Sequence, residues 1–151
     1  MRNMELVFTK GAGKFDRMEV VRDDGAVERI DCPKQRIIPH DMVHYAVESN
    51  LAKRGFLGRV RAGERADLRM GAQAESDGVE RLVEVIQGDA WSGGNTPVAD
   101  MLDLYRVTCE ERRCPMLDIG ENDIDSIRAR FAELTAQWDA VLVGRSLKLT
   151  M

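Results

Sequence analysis

Both histidines of this chain fall within one five-residue stretch, His40-Asp41-Met42-Val43-His44. On a helix, residues four apart lie about one turn apart on one face, so both imidazoles would project the same way. Imidazoles at that spacing can share a divalent metal ion, zinc by ligand type. Asp41 between them could serve as the base that orients a metal-bound water. At about 100° per residue, Val47 and Leu51 fall about 20° from His40 and His44 about 40° from it, so the histidines share the apolar stripe. Buried imidazoles need hydrogen-bond partners or a metal. Three readings follow: a structural pair satisfied by backbone carbonyls and Glu48, a metal site, or a metal-free acid–base or ligand-binding pair.

Glu48 cannot join both histidines on one ion, because eight residues of straight helix rise about 12 Å. It reads instead as a partner that orients His44. A third metal ligand would have to come from another element. Cys32, Asp31 and Cys109 are candidates, and spacing singles out none of them.

The five-residue stretch resembles the His-Glu-x-x-His motif of zinc metallopeptidases, with Asp41 in place of the glutamate. The resemblance implies that His40 and His44 ligate zinc and that a third protein ligand lies further along the chain. The shorter Asp41 side chain would place its carboxylate differently over a metal-bound water. The wider run Pro39 to Glu48, followed by Arg54-Gly55-Phe56-Leu57-Gly58, resembles a pattern in uncharacterised bacterial proteins. That likeness implies only that the histidine helix and the glycine turn after it form one unit.

Other constellations carry less chemistry. Gly11-Ala12-Gly13-Lys14 hints at a phosphate loop, but Phe8 and Phe15 stand where its first glycine and its Ser or Thr are needed, so a hairpin turn is expected. Cys109 and Cys114 are five apart, a poor spacing for one tetrahedral ion on a helix. A Cys32 nucleophile with His40 or His44 has no visible feature that lowers its thiol pKa. Trp91, in the loop Trp91-Ser92-Gly93-Gly94-Asn95, could cap the core or present a binding surface. Lys53, Arg54, Arg59, Arg61, Arg65 and Arg69 stand against only Glu64 and Asp67, on a chain of net charge −4. Such a basic segment could meet an anionic partner, although Phe56 alone supplies an aromatic for stacking on bases.

Positioning the histidines requires a packed domain. The chain has 151 residues, 44% hydrophobic and 32% charged, which fits one globular domain able to bury its own core. Aromatics are only 5%, so aliphatic residues and the eight methionines must fill the interior. No apolar run reaches the length of a membrane span and no secretory h-region follows Met1. Three cysteines without framework spacing read as reduced thiols, so a cytoplasmic location is expected.

Glu5–Thr9, Phe15–Arg22 and Val27–Cys32 read as a three-stranded meander, with a hairpin at Asp23-Asp24-Gly25 and a stop at Pro33. Helices are expected over Pro39–Lys53, in part of Phe56–Met70, over Asp77–Gln87 closed by Gly88, over Pro97–Arg113 capped by Thr96, and from about Asn122 to Val141. The last carries the most regular stripe, Ile124, Ile127, Phe131, Leu134, Trp138 and Val141. Ser146–Thr150 alternates with period two and needs the meander as its partner. The expected architecture is a single α+β domain over residues 1–151. It has an antiparallel sheet of about four strands with three to five helices packed on one face. The expected function is a small divalent-metal-binding protein, and a hydrolase if Asp41 acts as base. The alternative is a non-enzymatic interaction domain with structural histidines, whose basic segment binds an anionic partner.

Overall fold

A computed structural model describes residues 4–51, 57 and 74–151 of the chain. Strands β1 (Met4–Thr9), β2 (Phe15–Arg22) and β3 (Val27–Pro33) form the expected meander, and β4 (Ser146–Thr150) pairs with β1. All pairings are antiparallel and the order is β3-β2-β1-β4. Met4, Leu6 and Phe8 alternate with residues that face away from the core, and Met18, Val20, Cys32 and Leu149 continue the same buried face. One face of the sheet therefore meets the helices, and the other carries polar residues such as Glu5, Arg17, Glu19 and Arg29 together with Val7, Phe15, Val21 and Val27.

The β1–β2 turn is tied by the Gly11 amide, which donates to Asp16 Oδ1 at 2.9 Å. Only glycine fits there, since a Cβ would lie 2.0 Å from the Phe15 carbonyl oxygen. A hairpin, not a phosphate loop, thus occupies Lys10–Lys14, as the sequence indicates.

The helices are α1 (His40–Leu51), α2 (Ala74–Trp91), α3 (Val98–Arg112) and α4 (Glu121–Asp139). Among the described residues, none is long and apolar enough to cross a membrane. Helix α1 is buried on every side from Met42 to Glu48, wedged between α2, α4 and the sheet. Tyr45 donates its hydroxyl to the Thr150 carbonyl at 2.9 Å, which fixes α1 to the edge strand β4. The α4 stripe behaves as its spacing indicates: Ile124, Ile127, Leu134 and Trp138 are buried and Phe131 is partly so.

Helix α2 starts at Ala74, ahead of the expected Asp77, and α4 ends at Asp139, short of Val141; two further boundaries also differ from the pattern. Helix α2 runs through Gly88 to Trp91 instead of closing at Gln87. An interior glycine costs about 1 kcal/mol. Asp89 beyond it makes bonds that require the helix to continue, to the Thr96 amide at 3.0 Å and to Arg128 at 3.4 Å. Helix α3 has Pro97 rather than Thr96 at its N-cap, with no side-chain cap bond because the proline ring carries no acceptor, and the Thr96 amide donates to Asp89 instead. The expected helical stretch within Phe56–Met70 and the end of the first helix beyond Leu51 lie outside the described residues, Leu57 excepted.

Candidate metal centre

Helix α1 brings His40 and His44 together as their spacing requires, with ring centroids 4.8 Å apart. The third group comes from α2. Glu80 faces both rings, with Oε2 3.1 Å from His44 Nε2 and Oε1 3.6 Å from His40 Nε2. One ligand atom from each of the three residues lies within 4.8 Å of the others, so His40, His44 and Glu80 could hold a metal ion. Ligands about 2.1 Å from a tetrahedral ion lie about 3.4 Å from one another, so the three side chains would draw together from separations of up to 4.8 Å to close on an ion.

The opposite ring nitrogens are also engaged. His44 Nδ1 is 2.8 Å from Glu48 Oε2, so Glu48 orients His44 as its helix position suggests. Glu48 Oε2 also accepts the Leu57 amide at 3.2 Å. His40 Nδ1 is 2.9 Å from Gln87 Oε1.

A chain of obligations sets the His40 tautomer. The Ile38 carbonyl can only accept, so the Gln35 group 2.8 Å from it is the amide nitrogen. That nitrogen also donates to Gln87 at 2.9 Å, so Gln87 presents its oxygen. The same oxygen faces His40 Nδ1, which must therefore carry the hydrogen and leave Nε2 as the nitrogen turned to Glu80. At His44 both ring nitrogens face acceptor-only carboxylates, Nδ1 toward Glu48 and Nε2 toward Glu80, so without a metal the ring carries both hydrogens, and a metal would displace the one on Nε2. Both rings thus present Nε2 to one carboxylate, with Nδ1 anchored behind. Metal-ligating histidines are held in this way.

The electrostatics fit a site that holds positive charge. Burial opposes a charge on His44, but Glu48 and Glu80 outweigh it and push its pKa up to about 10. His40 is also raised, chiefly by its bond to Glu80. Burial opposes the charge on Glu80, yet the two imidazoles hold its carboxyl well below the usual range. His44 is buried, whereas the side chains of His40 and Glu80 are 40% and 35% exposed. One side of the cluster therefore opens to solvent.

The other candidate residues fall elsewhere. Cys32 Sγ donates to Asp41 Oδ2 at 3.6 Å, and burial followed by Asp41 pushes its thiol far up, away from nucleophilic thiolate character. Cys32 and Cys109 are not in the cluster, and neither is Asp31. The third group of the cluster is Glu80 and none of these three candidates, because α2, not β3 or α3, lies across from the histidines. All three cysteines are free. Trp91 does not cap the core: it is 54% exposed and its indole N–H donates to the Gln35 carbonyl at 2.8 Å. Lys53, Arg54, Arg59, Arg61, Arg65 and Arg69 lie outside the described residues.

Sequence reasoning missed Glu80, Gln87 and Gln35. The first two had a signal: they stand seven apart, two helical turns, beside Val79, Val83 and Ile86 on the buried stripe of α2. Gln35 had none, since it lies in the connection after β3. Compared with known proteins, the chain matches no family model, no curated protein and no solved structure.

Proposed function

We propose that this protein binds a divalent metal ion, zinc, through His40, His44 and Glu80. The observation that carries the reading is the hydrogen-bond chain that turns both Nε2 atoms toward one carboxylate. Two imidazoles and one carboxylate form a known zinc donor set, which leaves a position for water on the exposed side. Zinc in such a set makes bound water acidic enough to supply hydroxide near neutral pH. Asp41, one residue from His40, is the candidate base for a hydrolytic reaction, and its carboxylate would have to exchange the Cys32 thiol for that water.

Protein purified without a polyhistidine tag should carry about one equivalent of zinc. His44→Ala and Glu80→Gln should each lose it, since two remaining ligands do not form a closed site. Asp41→Asn should retain the metal and lose any hydrolytic turnover. Metal-free protein that takes up no zinc from micromolar solution would refute the proposal. Iron in place of zinc would redirect it, because the same donor set suits ferrous centres.

A further inference from the structure

A second feature lies apart from the metal cluster. A cavity of about 800 Å³ opens between α2, α4 and the segment after β3. That is the size of sites that enclose small organic molecules. Ile38, Ile86, Phe131 and Trp138 give it apolar walls, and Lys10, Lys34, Arg36 and Arg128 line it with positive charge.

The acidic residues of the lining neutralise only part of that charge. Asp16 is taken by Lys34 at 2.6 Å and Asp89 by Arg128 at 3.4 Å. Lys10 Nζ donates to the Trp138 carbonyl at 2.7 Å and lies 4.8 Å from the centre of the Trp138 ring, with no carboxylate partner among the described residues. Arg36 has no ionic or hydrogen-bond partner among them either. Asp139, the remaining acid of the lining, pairs with neither.

Arg36 is also held in an unusual conformation. Its φ is +71°, in the left-handed region that side-chain-bearing residues avoid. Its neighbour imposes this: the Gln35 side chain bonds to the Ile38 carbonyl and Gln87, and the Gln35 carbonyl accepts from Trp91. Backbone strain maintained by surrounding bonds concentrates at binding sites. Here it sets Arg36, exposed and without an ionic partner among the described residues, on the cavity lining.

We propose that this cavity binds a small organic carboxylate with an apolar body, such as a medium-chain fatty acid. The body lies against Ile38, Ile86 and Phe131, and the carboxylate is taken by Arg36, with Lys10 adding charge. A guanidinium matches a carboxylate in a two-point hydrogen-bonded geometry. The proposal stands independently of the metal.

The test is calorimetric titration of the intact protein with sodium octanoate, with octan-1-ol as the uncharged control. Octanoate should bind at least about tenfold more tightly than octan-1-ol, as expected for a charge-assisted hydrogen bond. Arg36→Gly should remove that preference while leaving thermal stability unchanged or higher, since glycine adopts φ +71° freely. Ala132→Trp, which fills the cavity from exposed α4 surface, should abolish binding of both. No octanoate binding by the parent protein, equal binding of acid and alcohol, or a preference that survives Arg36→Gly would each overturn the proposal.

Discussion

Replacing Gln87 by leucine would separate the preparation of the metal site from the fold. Gln87 is 6% exposed, and its Oε1 accepts from His40 Nδ1 and from Gln35 Nε2, each at 2.9 Å. Leucine has similar volume and good helix propensity, so α2 should persist. Two neutral hydrogen bonds are lost, at about 1 kcal/mol each. Gln35 keeps the Ile38 carbonyl, and water can reach the half-exposed His40 ring. The total, about 2 kcal/mol, is small against a stability of about 5–15 kcal/mol, and the variant should fold. The metal should respond more clearly. Partners that fix a ligand's tautomer are worth about 10–100-fold in affinity, or about 1.4–2.7 kcal/mol. Competition for zinc against a chromophoric chelator, with a urea denaturation curve on the same sample, measures both quantities. Gln87→Glu, which keeps an acceptor and adds charge, should bind at least as tightly as the parent. If Gln87→Leu retains parental affinity while Glu80→Gln loses zinc, the hydrogen-bond chain does not prepare His40 and the reasoning fails.

Three further outcomes follow from the same geometry. For the metal-free protein, the raised His44 pKa stabilises the fold in full below about pH 6.5, and this contribution is lost as pH rises toward 10; the depressed Glu80 pKa contributes above about pH 4.5 and is lost on acidification. Urea midpoints should therefore fall from pH 6.5 to 10, and a flat profile would contradict the charge assignment. Tyr105→Phe leaves the Gly78 carbonyl and the Leu117 amide without the hydroxyl that joins them at 2.8 and 3.1 Å, and should lower stability by about 1–3 kcal/mol by chemical denaturation. Removing Leu147–Met151 strips the ladder from β1 and the Leu149 and Tyr45 contacts from the core, so the truncated chain should melt at a markedly lower temperature or fail to fold.

Local pattern was enough for the elements whose signal is repeated along the chain. The apolar runs of β1 and β2 between turn residues mark two strands, and the 3-4 spacing in α4 and the period-two run of β4 each report a single buried face, which is where the structure buries them. Four residues on one helix also suffice to align His40 with His44 and Glu48 with His44, because helical geometry alone decides those distances. The length of α2 was not legible, since Gly88 is tolerated only because Asp89 finds partners in Thr96 and Arg128. Nor was the third member of the cluster: Glu80 stands 36 positions beyond His44 in sequence, and only the packing of α2 on α1 brings its carboxylate to 3.1 Å. Gln35 is the extreme case. Nothing in its neighbourhood marks it, yet its contacts across three segments fix both the proton on His40 and the backbone of Arg36. Sequence determines which groups can point the same way along one element. Which carboxylate faces them, and which nitrogen carries the proton, depends on separate elements meeting, and only the tertiary structure decides that.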